Sequence, residues 1–118
     1  MATERNEILD LTTEFSLLII AFVEELEASK KFIIANQLLK AGTSIGANSW
    51  EAQSSESKVD FAHKFKIAAK EIDETAYWLS LCKAAPSYPS PSNELFEKLE
   101  VIKRIVGKII YTSKRSQQ

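Results

Sequence analysis

Apolar residues of this chain recur at three- and four-residue steps in four separate blocks, the spacing that places side chains on one face of an α-helix. The blocks cover residues 4–27, 31–53, 58–85 and 91–114. No block has the apolar–polar alternation that is typical of a half-buried strand. Four long helices joined by short links predict an all-α, up-down-up-down four-helix bundle that occupies residues 1–118 as a single domain.

Local signals mark where the later helices begin and end. Ser57, followed three residues later by Asp60, resembles a capping box at the start of helix three. The proline-rich link at residues 86–92 ends that helix, and Ser90 and Pro91 are suited to start the fourth. The seam of helix three repeats every 3.5 residues and consists of Phe61, Phe65, Ala68, Ile72, Thr75, Leu79 and Cys82.

Two glycines interrupt the apolar stripe of helix two. Gly42 and Gly46 are four residues apart and therefore share one helix face. They indicate either a groove where another helix backbone comes close or a weak, kinked helix. We favour close packing, because the apolar periodicity continues past both glycines.

The helices carry more apolar side chains than the core of one bundle holds, since a bundle helix buries about three positions in seven. Leu17, Ile20 or both must point away from the core, and helices three and four have a similar excess. The surplus residues of those two helices include Trp78, Leu81, Val101, Ile105 and Ile110. A large exposed apolar patch is rare on a soluble monomer, so the pattern predicts a homo-oligomer.

The charge balance argues against a strongly basic nucleic-acid clamp, because 15 Lys and Arg face 16 Asp and Glu, a net charge of −1. The charges are nevertheless divided: helix one is acidic and helix four is basic. The basic residues of helix four are Lys98, Lys103, Arg104, Lys108, Lys114 and Arg115. They form either a face that contacts phosphates or a solvated face that complements helix one, and we favour the second interpretation.

Residues for catalysis are scarce. His63 is the single histidine and Cys82 the single cysteine, and the chain has no phosphate loop, nucleophile elbow or dinucleotide turn. We therefore expect no enzyme activity, no metal site and no cofactor. The lone cysteine fits the reducing cytoplasm, and the longest apolar run, 17–23, is too short to span a membrane.

Asn48 and Glu51 fall at or near the inward face of helix two, where a carboxylate needs partners. Lys66 or Lys70 of helix three could supply charge-assisted hydrogen bonds. We predict a buried polar network of Asn48, Glu51, Lys70 and Glu74 that fixes the helix register. A small polar pocket is the alternative interpretation.

Three segments of the chain resemble a known bacterial family: residues 44–52 (SIGANSWEA), 57–61 (SKVDF) and 70–79 (KEIDETAYWL). This is the four-helix-bundle family first noticed in open reading frames inside intervening sequences of 23S ribosomal RNA genes. Its pattern S-I-x-x-N-x-x-E is commonly followed by Gly, where this chain has Ala52.

The resemblance implies a four-helix bundle that commonly assembles as a ring-shaped homopentamer and has no known catalytic activity. The accessory protein of diversity-generating retroelements is a relative that binds nucleic acid through a basic surface. We therefore expect a non-catalytic, oligomeric interaction protein that presents its surfaces to a protein partner. The alternative is an accessory protein that binds RNA or DNA through the basic face of helix four.

Overall fold

The computed structural model describes residues 2–116, with side chains over residues 7–115. Four helices follow one another along the chain: α1 (Ala2–Ala28), α2 (Phe32–Ala52), α3 (Lys58–Ala84) and α4 (Asn93–Ser116). Strands are absent from the described range. Each helix packs against two others, in the pairs α1–α2, α2–α3, α3–α4 and α1–α4. This arrangement, 50 × 22 × 20 Å in extent, confirms the all-α, up-down-up-down fold.

The helix ends follow local hydrogen-bonding chemistry. Ser57 caps α3 as predicted, since its hydroxyl accepts a hydrogen bond from the backbone N–H of Asp60 at 3.0 Å. α3 stops at Ala84 because Ala85, the residue before Pro86, adopts the extended backbone that a following proline favours.

The start of α4 differs from the prediction. The helix begins at Asn93 rather than at residue 91. Ser92, and not Ser90, is the capping residue, because its hydroxyl accepts a hydrogen bond from the backbone N–H of Leu95 at 3.4 Å. Pro91 is buried just before the helix.

The core runs along the bundle axis and receives side chains from all four helices. All seven seam residues predicted for α3 are buried. Four residues with hydroxyl groups are buried among those described, and three of them donate hydrogen bonds to the backbone carbonyl oxygen four residues earlier: Thr12 to Ile8, Ser49 to Ile45 and Thr75 to Glu71. These three hydroxyl groups therefore find their partners within their own helices.

The two glycines of α2 face α1 at close range, as predicted. A Cβ atom added at Gly42 would lie 2.9 Å from Cγ1 of Ile19, and one added at Gly46 would lie 3.2 Å from Cβ of Thr12. By contrast, a Cβ atom at Gly107 of α4 would meet nothing within 4 Å. Gly42 and Gly46 thus allow α1 and α2 to approach each other closely. A larger residue at either position would push the two helices apart.

No helix in the described part of the chain combines the length and the apolar character needed to cross a membrane.

We expect Gly42→Ala to lower the free energy of unfolding by about 1 kcal/mol or more, because overpacking outweighs the gain in helix propensity. Ile19 is fully buried, and three of its side-chain carbons would lie within 3.1 Å of the added Cβ atom. Chemical denaturation measures this difference. Gly107→Ala is the matched control and should raise stability by about 0.5–1 kcal/mol. An increase in stability for both variants would show that α1 and α2 are not in close contact at Gly42.

Candidate interaction surfaces

Glu51, near the end of α2, pairs with Lys64 of α3, and 2.9 Å separates Oε1 from Nζ. The Glu51 side chain is 60% exposed and that of Lys64 29%. The hydrogen bond and the negative charge of Glu51 raise the pKa of Lys64. The predicted burial of Glu51 is therefore wrong, as is its expected pairing with Lys66 or Lys70. The neighbouring residue Ala52 takes the inward position instead.

The other residues of the expected network make local contacts. The Asn48 amide donates a hydrogen bond to the carbonyl oxygen of Ser44 at 2.9 Å, within α2. The Glu74 carboxylate accepts one from the indole N–H of Trp78 at 3.2 Å, within α3. Lys70 is exposed. The predicted single buried network is therefore not present among the described residues. Its members make separate contacts on α2 and α3 instead.

Glu71, which the prediction did not include, is the more deeply placed carboxylate at the α2–α3 boundary. Burial raises its pKa, and the negative charge of Glu74 adds to the effect, while Lys40 of α2 opposes it. The periodicity of α3 indicates the positions of Lys64 and Glu71, the two residues that the prediction missed. Lys64, Ile67 and Glu71 recur at three- and four-residue steps beside the core seam.

The basic residues predicted on α4 have different surroundings. Lys98 forms an ion pair with Glu14 of α1, with 3.4 Å between Nζ and Oε2. The other five residues are exposed: Lys103, Arg104, Lys108, Lys114 and Arg115. Glu7 of α1 lines the same shallow depression as Arg104 and Lys108. The acidic helix thus lies beside the basic one, as the sequence predicted for adjacent helices.

The residues predicted to point away from the core are exposed on α1, but only some of them are exposed on the other helices. Leu17 is 62% exposed and Ile20 is 41% exposed. On α4, however, Ile105 and Ile110 are half-buried against the core, because the helix contacts both α1 and α3. Among the residues whose side chains the structure describes, the other large exposed apolar residues are Phe32, Ile33, Trp50, Val59, Tyr77, Leu81 and Tyr111.

An apolar groove of about 340 Å³ lies between the start of α2 and the end of α3. We call it the α2/α3 groove; its lining residues are Ile34, Leu81, Ala84, Ala85 and Tyr88. Ile33, the most exposed large apolar residue described, directly precedes Ile34 in α2. At one end of the groove, the Lys31 ammonium lies 4.8 Å from the centre of the Tyr88 ring.

The residues with reactive side chains are dispersed. Cys82 is buried in the core seam, where burial raises the pKa of its thiol and keeps it protonated. His63 is exposed on α3. In the described part of the chain, no group of three or more His, Cys, Asp or Glu residues is placed to hold a metal ion.

Comparisons with known proteins give a family and a solved relative. A family model described as 23S rRNA-intervening sequence protein matches residues 4–108. A crystal structure from Bacteroides thetaiotaomicron superposes with a TM-score of 0.86 at 33% sequence identity, covering 92% of this chain and 98% of that one. That protein is described as having unknown function and as coming from the S23 ribosomal protein family. No curated protein matches the chain.

We expect Glu71→Gln to raise the thermal midpoint at pH 7, because the raised pKa of Glu71 means that its ionised form disfavours folding. The folded state holds the proton more tightly than the unfolded state, so this penalty disappears as the pH falls through the pKa of the carboxyl. The two proteins should therefore approach equal stability in mild acid. Thermal denaturation across this pH range measures the difference.

Glu100→Gln, at an exposed position of α4, is the control for the loss of one negative charge. A Glu71→Gln variant that is less stable than the wild type at pH 7 would contradict the assigned environment.

Proposed function

The chain belongs to the 23S rRNA-intervening sequence protein family, and from this premise we propose that it is a non-catalytic assembly protein. In this proposal its bundles associate as a homo-oligomer, taken to be a pentamer, whose outer surface is presented to a protein partner. The setting is the reducing cytoplasm, which suits a lone buried cysteine, Cys82.

The observation that carries the proposal is the set of large apolar side chains on the outside of the bundle. Leu17 and Ile33 are 62% and 80% exposed although the inward positions of their helices are filled. Burial of such side chains is worth about 1.5–3 kcal/mol each. Association with further copies gains this energy without any change in the fold.

The distribution of polar groups supports a non-catalytic role. A general acid or base works within hydrogen-bond reach of its partners in a cleft. Here Glu51 and Lys64 pair in an exposed position, and Asn48 and Glu74 bond within their own helices. The apolar α2/α3 groove suits contact with another apolar surface.

Sedimentation velocity at micromolar concentration tests the assembly. We expect the wild type to sediment as a species several times heavier than the 13.3 kDa chain. Leu17→Glu should shift the population towards monomer, because it places a charge where the exposed leucine would be buried between copies.

Ser54→Glu, at an exposed position in the turn after α2, is the control and should leave the oligomer intact. A wild type that sediments as a monomer would refute the assembly role, and a dimer would refute the pentamer.

A second candidate, nucleic-acid binding, is favoured by one observation on α4. From residue 101 onward the helix carries five basic residues and no acidic one, and Tyr111 lies among them with the Arg115 guanidinium 5.8 Å from its ring centre. An oligomer would repeat this surface, and several weak sites in one particle bind with avidity. The acidic helix α1 beside it opposes such binding.

The second candidate predicts that the wild type binds RNA or DNA and releases it steeply between about 50 and 200 mM salt, because displaced counterions drive the interaction. Lys103→Glu/Arg104→Glu should abolish this binding. Lys66→Glu/Lys70→Glu, on α3, is the control with the same change of charge. Fluorescence anisotropy with labelled strands measures the binding. No binding at the lower salt concentration would eliminate this candidate and leave the assembly role.

A further inference from the structure

The outward face of α1 carries a stripe of exposed side chains, which we call the α1 stripe. Its members follow the spacing i, i+4, i+7, i+11 and are Leu17, Ala21, Glu24 and Ala28. No residue from 15 to 23 is charged. The first half of the stripe is therefore apolar, and its charge comes from Glu24.

The outward face of α2 carries a second stripe, the α2 stripe. Its members are exposed and follow the spacing i, i+3, i+7, i+14: Ile33, Asn36, Lys40 and Ala47. No residue from 41 to 50 is charged, so the charge of this stripe comes from Lys40. The α1 stripe thus brings a carboxylate and the α2 stripe an ammonium group.

Contacts inside one bundle fix the height of each α1 residue relative to α2. Ile19 is level with Gly42 and Thr12 is level with Gly46, as their close approach shows. Both helices rise by the same distance per residue and run in opposite directions. Level positions of α1 and α2 therefore have residue numbers that add up to about 60.

Copies related by rotation about an axis along the bundle keep these heights. When the α1 of one copy lies beside the α2 of the next, the two helices are antiparallel and the level positions are the same as inside one bundle. Leu17 then faces residues 43–44 of the next copy, and Glu24 faces Asn36.

We propose that the α1 stripe of one copy packs against the α2 stripe of the next copy in this antiparallel register. The proposal rests on the assembly function proposed above and assigns the two surfaces that carry it.

Leu17 meets a hole of matching shape in this register. Short side chains form most of its border, and the four residues at i, i+3, i+4 and i+7 around it are Lys40, Thr43, Ser44 and Ala47. The Thr43 hydroxyl donates a hydrogen bond to the carbonyl oxygen of Leu39 at 2.7 Å, and the Ser44 hydroxyl donates one to that of Lys40 at 2.6 Å. Leu17 therefore covers both hydroxyl groups without depriving either donor of its partner.

Lys40 meets the reciprocal hole in α1. It is level with about residue 20 of the next copy, where the surrounding residues are Leu17, Ile20, Ala21 and Glu24. The aliphatic stem of Lys40 covers the apolar part of this hole, and its ammonium group extends to the Glu24 carboxylate. At the end of α1, Ile33 lies level with the last turn, where Ala28 leaves room for it.

Contact between like stripes is disfavoured under the same rotation. Two α1 stripes would bring Glu24 of both copies together at the same height, and two α2 stripes would do the same with Lys40. Juxtaposed like charges at an interface cost free energy, whereas unlike stripes pair opposite charges. The interface is therefore heterologous: each copy uses α1 for one neighbour and α2 for the next.

The positions of α1 and α2 allow this interface to close into a ring. The two helices are neighbours in a bundle of 22 × 20 Å cross-section. Their outward faces therefore point about 90° apart around the bundle axis. Heterologous contacts close a ring of four copies at about 90° and a ring of five at about 108°. Surfaces on opposite helices, such as α1 and α3, would instead give an open row.

A cysteine pair tests the register. Ala21 and Lys40 lie at nearly the same height in the two stripes, so Ala21→Cys/Lys40→Cys should form disulfides between neighbouring copies when oxidised glutathione is added. Denaturing gel electrophoresis without reductant should show a ladder of multiples of the 13.3 kDa chain, ending at the full ring. Each single variant should remain a monomer on the gel.

Ala21→Cys/Ser80→Cys, with its second cysteine at an exposed position of α3, is the control and should give no ladder. If the wild type is an oligomer and the first pair gives no ladder, the assigned register is wrong and the assembly function stands. A covalent dimer of Ala21→Cys alone would also overturn it, since that product requires contact between two α1 stripes. A monomeric wild type would refute both proposals.

A pair of charge reversals gives an independent readout. Glu24→Lys should raise the concentration at which half of the chains are assembled by about tenfold, because a lysine then faces Lys40. Glu25→Lys makes the same change of charge at the next residue, which lines a depression beside α4, and should leave assembly unchanged. Sedimentation velocity over a dilution series measures both. Equal effects of the two reversals, or no effect of Glu24→Lys, would overturn the assigned pairing.

Discussion

Each helix of this bundle can bury only the face that meets its neighbours, and the chain carries more apolar side chains than those faces hold. Phe15 and Phe65 fill the core, while Leu17 and Ile33 remain outside it. No rearrangement of four packed helices removes this surplus, because turning Leu17 inward would turn Phe15 or Ile19 outward. The outer surface therefore carries exposed apolar side chains, and these side chains are the basis of the proposed assembly.

The same constraint governs the polar groups. Thr12 and Thr75 enter the core and donate hydrogen bonds to their own helices, so their burial needs no partner on another helix. Register between α1 and α2 then depends on shape, through the close approach of Ile19 to Gly42. This explains why Glu51 is free to pair at the surface with Lys64: the bundle does not need a buried ionic contact to align its helices.

The fold was more predictable than the surface contacts. The buried seam of α3 and the cap at Ser57 follow from local periodicity and hydrogen bonding. The ion partner of Glu51 was not predictable in this way, because it depends on how far α2 and α3 slide past each other. A shift of one turn would have placed Asp60 or Ile67 opposite the carboxylate instead of Lys64. The half-burial of Ile105 on α4 likewise depends on the flanking helices.

By itself, the sequence determined that four amphipathic helices form, where most of them end, and that residues such as Leu17 must lie outside the core. These properties depend on side chains within one or two helical turns of each other. Only the tertiary structure decided that Ile34 and Leu81 line a common groove and that Lys31 lies at its end. Ile34 and Leu81 are far apart in the chain, and packing between α2 and α3 sets their meeting, which no local pattern encodes.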